Sequence, residues 1–191
     1  THQETFISKH VFSTDHKMIA KQFMWLGLFF LFFGGAMAML IRWQLAYPEQ
    51  TVPWWLFGFL FENDGWIISP DIYNQLFTMH GTIMIFWAIT PLLIGAFGNF
   101  VIPLQIGAPD MAFPKLNMLS FWTMFLASIV LLSSYCLPTG TASGGWTSYP
   151  PLSSPAGGIP GLGQTIWTIA LILMGTATMM GAINYITTVV R

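Results

Sequence analysis

The sequence predicts an all-α, polytopic membrane protein, a bundle of four transmembrane helices. Composition carries the first part of that prediction: 54% of the 191 residues are hydrophobic and only 7% are charged, whereas about a quarter of a soluble domain is charged. The second observation is four apolar runs, each long enough to cross about 30 Å of hydrocarbon at roughly 1.5 Å per residue. The third is aromatic content, 16% with nine tryptophans, which suits residues that sit at membrane interfaces. The formal net charge of −1 offers no basic surface for nucleic acid, and no glycine-rich phosphate loop is present.

The predicted spans run over about 23–45, 76–102, 119–137 and 165–190, within one membrane domain covering 1–191. The first carries Gly34-Gly35 at its middle. The second contains Pro91, which a membrane helix tolerates when neighbours satisfy the freed carbonyl. In the fourth, Gly175, Ala177, Gly181 and Ala182 are spaced to let helix backbones approach closely. The single Cys136 has no partner for a disulfide and no metal-ligand spacing around it, so it is expected as a small core residue. The segment before the first span holds Glu4, Lys9, Asp15, Lys17 and Lys21 and no short apolar core. It does not read as a signal peptide, and the first helix is expected to be an uncleaved anchor.

Orientation follows from the cations. With four spans, one side carries Lys9, Lys17, Lys21, Lys115 and Arg191, five of the six Lys and Arg residues. The other side has Glu49, Glu62, Asp64 and Asp71. Positive loops stay inside, so both termini are expected in the cytoplasm or the mitochondrial matrix. The long loop 46–73, with Trp54, Trp55 and Trp66, is expected to form an interfacial aromatic belt; docking of a partner subunit or electron donor is the alternative.

His80 stands at the head of the second apolar run, in Met79-His80-Gly81-Thr82. An imidazole in lipid must bond, line water or ligate something. His2, His10 and His16 all belong to the polar N-terminal segment. Arg42, near the outer end of the first span, reads most simply as a snorkelling cation. On the deduced topology it shares the outer side with His80, and a cation and an imidazole at matching depth point to a polar ligand between them. Haem is the first candidate, since His is a common axial ligand and Arg bonds polar substituents.

Asp110 follows the second span, thirty residues beyond His80, which as helix is roughly 45 Å. The two residues thus mark opposite sides of the membrane. Asn99 and Asn117 flank the carboxylate, and Asn184 lies within the fourth span. Asp110 as a turn residue and Asn117 as a helix cap are the plain readings. An amide in lipid such as Asn184 needs a partner. A carboxylate with amides leading inward is the pattern of a proton-path mouth.

Several segments together resemble subunit I of the haem-copper oxidases, the cytochrome c oxidase family. They are Ser13-Thr14-Asp15-His16-Lys17, Leu40-Ile41-Arg42, the run from Met79 to Phe86, Gly98-Asn99, the stretch from Pro103 to Pro114, Gly145 to Leu152, and Gly181 to Thr188. The resemblance runs through nearly the whole chain, and Pro103 to Pro114 is its most specific part. It implies that His80 is an axial ligand of the low-spin haem and that Arg42 bonds its formyl group if the haem is of A type. Trp146 would lie near the haem propionates. Asp110 would be the entrance of the so-called D proton pathway, with Asn99 and Asn117 at its neck and Asn184 further in. No catalytic residue of the oxygen-reducing centre is assigned within the chain. The implied activity is electron transfer to a haem-copper centre that reduces dioxygen to water, with protons pumped across a bacterial plasma membrane or mitochondrial inner membrane.

Family members have about twelve spans, so the four here correspond to an N-terminal part. The second axial histidine, the second haem and copper B belong to the remainder of subunit I, which becomes an expected partner together with subunits II and III. Phe23 replaces a tyrosine common in relatives near the proton path. Quinol oxidases of the family carry Arg and Asp on the first helix and a His before the second; here Phe33, Met37 and Ile72 stand at those places. Cytochrome c is therefore the expected donor, with a quinol oxidase as the alternative. A non-catalytic haem-carrying subunit calls for histidine pairs on facing helices, and a structural subunit leaves His80, Arg42 and Asp110 without purpose.

Overall fold

A computed structural model describes residues 6–58, 66–154 and 161–191. Among them the regular structure is helical throughout. Four helices are long and apolar enough to cross a membrane: α1 (His16–Ala46), α2 (Pro70–Ile106), α3 (Pro114–Cys136) and α4 (Gly163–Val190). They alternate in direction. The start of α1, the end of α2, the start of α3 and the end of α4 meet at one end of the bundle, the end at which both chain termini are expected on the inside.

Each helix extends past its predicted apolar run because backbone hydrogen bonding continues through polar residues to the cap. Asp15 caps α1, its carboxylate accepting from the Lys17 N–H. Ser69 caps α2 ahead of Pro70, and Pro114 opens α3, where its missing N–H costs nothing. Gly107, at φ 72°, closes α2 in the left-handed conformation that glycine adopts freely.

The middle of α2 is not regular. Pro91 has no N–H to give Trp87, and wide π-type turns over Ile83–Ile89 and Pro91–Gly98 flank it. Carbonyls in this stretch take side-chain donors: Thr90 Oγ1 donates to Ile85, Asn99 Nδ2 to Gly95, and the Tyr185 hydroxyl to Ile94. A proline-containing membrane helix survives on such partners.

Buried Ile19, Phe23, Phe30, Met37 and Leu40 line one face of α1, while Trp25, Phe29 and Phe32 on its other faces are exposed, as lipid contact allows. Two indoles fasten the bundle. Trp87, fully buried, donates to Ser128 Oγ of α3, and Trp167 of α4 donates to Thr82 Oγ1, both at 3.0 Å. Trp54 and Trp55 are 71% and 70% exposed, the exposure an interfacial belt requires.

Two expectations are corrected. Cys136 is exposed rather than in the core, because it lies in the narrow final turn of α3. The small residues of α4 do not bring a second backbone close: among the described residues nothing lies within 4 Å of a Cβ placed at Gly175, and only the Tyr185 ring does so at Gly181. Ala177 alone of the two alanines is buried. His2, Glu4, Glu62 and Asp64 fall outside the described residues.

Candidate functional site

The half of the bundle away from the chain termini is organised around His80, half-buried in the third turn of α2. Its Nδ1 lies 2.9 Å from the carbonyl oxygen of Gly34 on α1. A carbonyl only accepts, so Nδ1 carries a proton in this bond, and in the neutral ring Nε2 is the nitrogen with a lone pair to offer a ligand. Gly34 is what allows this approach: a Cβ there would lie 2.7 Å from Met84 Sδ and 3.2 Å from Ile83 Cγ2.

The loop between α3 and α4 covers the same level. Gly145 N–H donates to Thr78 Oγ1 at 2.9 Å. Trp146 packs over Gly81, where a Cβ would meet its ring at 3.2 Å, and pairs with Phe86 at 6.2 Å between centroids. Trp146 is therefore brought against Gly81, the residue after His80, from a distant part of the chain. Arg42 is exposed on α1, eight residues and about 12 Å along the helix outward from Gly34.

At the end of the bundle where the termini meet, Asp110 is half-buried in the turn after α2, and its Oδ1 accepts from the Met111 N–H at 2.7 Å. Asn184 is fully buried and belongs to this turn as much as to α4. Its Oδ1 accepts from Phe113 N–H at 2.8 Å and its Nδ2 donates to Phe113 O at 3.3 Å. Thr188, one turn further along, accepts from Ala112 N–H. The segment 110–113 is thus strapped to α4.

Asn99 and Asn117 are buried and incompletely bonded. Asn99 Oδ1 and Asn117 Nδ2 have no hydrogen-bond partner in the protein, a state that native interiors normally resolve with water. Asn117 sits inside α3 rather than at its cap. Asn99 lines a cavity of about 40 Å³ together with Phe23, Ser120, Thr178 and Tyr185, enough for one to a few waters.

Sequence reading missed His16. It is 2% exposed, and its Nδ1 lies 2.8 Å from the Asn99 carbonyl. The signal was present: His16, Ile19, Ala20 and Phe23 are all buried and fall at helical spacing on one face. It also missed Gly34 as an acceptor, since a backbone carbonyl leaves no mark on residue type. A second, larger cavity of about 770 Å³ lies between α1, α2 and the outer part of α3, lined by Phe33, Met37, Ile72, Gln75 and Tyr135 among others.

The fold and these two ends define an all-α integral membrane protein with an oriented imidazole toward one face and a carboxylate and buried amides toward the other. The family model described as cytochrome c and quinol oxidase polypeptide I matches residues 18–191, and the chain belongs to that family. Similar curated proteins include cytochrome c oxidase subunit 1 of Synechocystis sp., 41% identical over 94% of this chain and 29% of its own length. The subunit 1 of Thermostichus vulcanus is 41% identical over 93% of this chain and 29% of its length. A putative cytochrome c oxidase subunit 1-beta of Streptomyces coelicolor is 42% identical over 93% of this chain and 28% of its length. The chain thus spans somewhat under a third of the curated relatives it matches.

Proposed function

We propose that the chain is the haem-binding and proton-admitting portion of the catalytic subunit of a terminal oxidase that takes electrons from cytochrome c, reduces dioxygen to water and pumps protons. The observation that carries this reading is the His80–Gly34 bond. It gives the imidazole one tautomer with Nε2 available, the arrangement that metal-ligating histidines adopt, with the other ring nitrogen tied to a carbonyl. Low-spin haem, of A type if Arg42 meets a formyl group, fits that donor. Trp146 beside Gly81 supplies a wall on the same level, near the propionates.

Haem supplies reversible one-electron chemistry when bound. The chain's own backbone orients the ligand, through the Gly34 carbonyl. Among the described residues no group of three His, Cys, Asp or Glu side chains gathers to hold a metal, and His10 and His16 lie at the inner end. The second axial ligand, the second haem and copper B are assigned to the rest of subunit I, and assembly with subunits II and III follows from the same reading.

Asp110 is proposed as the proton entrance, with Asn99 and Asn117 at its neck and Asn184 further in, and the termini on the cytoplasmic or matrix side of a bacterial plasma or mitochondrial inner membrane. Half-exposure at the surface suits Asp110 to collecting protons. The incompletely bonded Asn99 and Asn117 suit a water-filled passage, whereas Asn184 serves chiefly to anchor the entrance turn. Displacing charge from this end toward the haem end works against the membrane potential and stores energy, about 2.3 kcal/mol per charge per 100 mV.

Cytochrome c is favoured over quinol as donor by the 770 Å³ cavity. Phe33, Met37 and Ile72 give its wall no charge. Of its polar groups, Gln75 Oε1 accepts from Thr141 N–H, and the Tyr135 hydroxyl contacts Met37 Sδ. Oxygen uptake by the purified holoenzyme in vesicles tests the reading. Reduced cytochrome c is expected to drive uptake with proton ejection, and uptake driven only by quinol would overturn the donor assignment.

A further inference from the structure

The cavity of about 40 Å³ in the inner half of the bundle is lined by four hydroxyl side chains, Thr90, Ser120, Thr178 and Tyr185, together with Asn99. Each hydroxyl has its proton committed to a backbone carbonyl. Thr90 donates to Ile85, Ser120 to Asn117, Thr178 to Met174 and Tyr185 to Ile94. The Asn99 amide nitrogen likewise donates to Gly95, and its Oδ1 is buried without a protein partner. The cavity wall is mostly hydrocarbon, and of the few polar atoms that border it most are acceptors, the second Asn99 amide hydrogen excepted, which suits a single water that donates.

Tyr185 is the member of this set whose hydroxyl depends most on a special approach. Its phenol reaches the backbone of α2 only because residue 98 is glycine; a Cβ there would lie 2.8 Å from the Tyr185 oxygen. The Ile94 carbonyl it meets lies in the wide turns that follow Pro91. Phe23, whose ring lies against Gly95, contributes only hydrocarbon to the same cavity.

We propose that the Tyr185 hydroxyl is a positioning residue of the proton path, accepting a hydrogen bond from the water that passes the Asn99 neck while its own O–H keeps donating to the Ile94 carbonyl. The phenol is not consumed: a proton arrives on water and leaves on water. This rests on the proton-path reading of Asp110 given above.

The test uses the assembled full-length oxidase and measures proton uptake during oxygen reduction alongside the haem spectrum. Tyr185→Phe is expected to slow uptake by about three- to tenfold, the worth of one hydrogen bond, with the spectrum kept. Phe23→Tyr placed in the Tyr185→Phe background returns a hydroxyl to the cavity from another wall and is expected to recover most of the rate, which a purely structural role for Tyr185 would not produce. If Tyr185→Phe does not assemble, Gly98→Ala, which pushes the phenol off Ile94 while keeping it, is expected to give the same slowing. Wild-type uptake in Tyr185→Phe, or in Gly98→Ala where that variant stands in for it, overturns the proposal if Asp110→Asn slows uptake. So does slowing that the added Phe23→Tyr leaves unrelieved. Wild-type uptake in Asp110→Asn overturns the path itself, and the Tyr185 role with it.

Discussion

His80 Nδ1 lies 2.9 Å from the Gly34 carbonyl oxygen, and this bond joins α1 to α2 while deciding which imidazole nitrogen is free. Helix carbonyls are normally engaged four residues on. Here the carbonyl takes a second donor through its remaining lone pair, at the one place where two glycines thin the wall of α1.

Replacing His80 by alanine in the full-length enzyme is expected to abolish the low-spin haem signal in reduced-minus-oxidised spectra while the polypeptide still inserts. An unchanged spectrum would remove the ligand assignment.

Gly34→Leu is expected to lower the temperature at which the haem spectrum is lost. The new side chain collides with Met84 and Ile83, and overpacking of this kind costs about 1–3 kcal/mol. Gly35→Ala is the control. Nothing lies within 4 Å of a Cβ there, so it should leave the transition unchanged or raise it slightly. Equal effects of the two substitutions would show that the close approach at Gly34 has no importance.

Asp110→Asn keeps the turn-forming side chain and its bond to the Met111 N–H while removing the titrating group. Slower proton uptake and weakened pumping are expected, with haem content kept. Normal pumping by this variant would defeat the entrance role.

Asn184→Leu preserves shape and removes both bonds to Phe113, leaving the backbone N–H of Phe113 unpaired while its C=O keeps the Asn117 N–H. The cost is about 1–3 kcal/mol for the N–H left unsatisfied, and the turn 107–113 should become the first site of limited proteolysis in membranes. Cleavage no faster than in the unaltered protein would mean that Thr188 alone holds the turn.

The four helices were legible in the sequence because lipid imposes a simple rule: a spanning segment must be apolar over about twenty residues and bond its own backbone. Helix ends were less legible, since Asp15, Ser69 and Pro114 extend the hydrogen-bonded backbone beyond the apolar runs. The candidate residues His80, Asp110 and the asparagines stood out as polar groups against hydrocarbon, and the connectivity placed His80 and Asp110 toward opposite ends. His16 did not stand out, because a histidine among charged N-terminal residues looks solvated until its helical face is counted.

By itself the sequence determined the class, the number of helices and which few polar side chains had to be accounted for, because burial in lipid tolerates so little polarity that each exception is visible. Only the tertiary structure decided which partner each exception has: Gly34 for His80, Phe113 for Asn184, the Asn99 backbone for His16, the Ile94 carbonyl for Tyr185. Those partners are mainly backbone atoms on other helices. Their positions depend on how the helices cross and on the wide turns around Pro91, and no residue-type pattern encodes them.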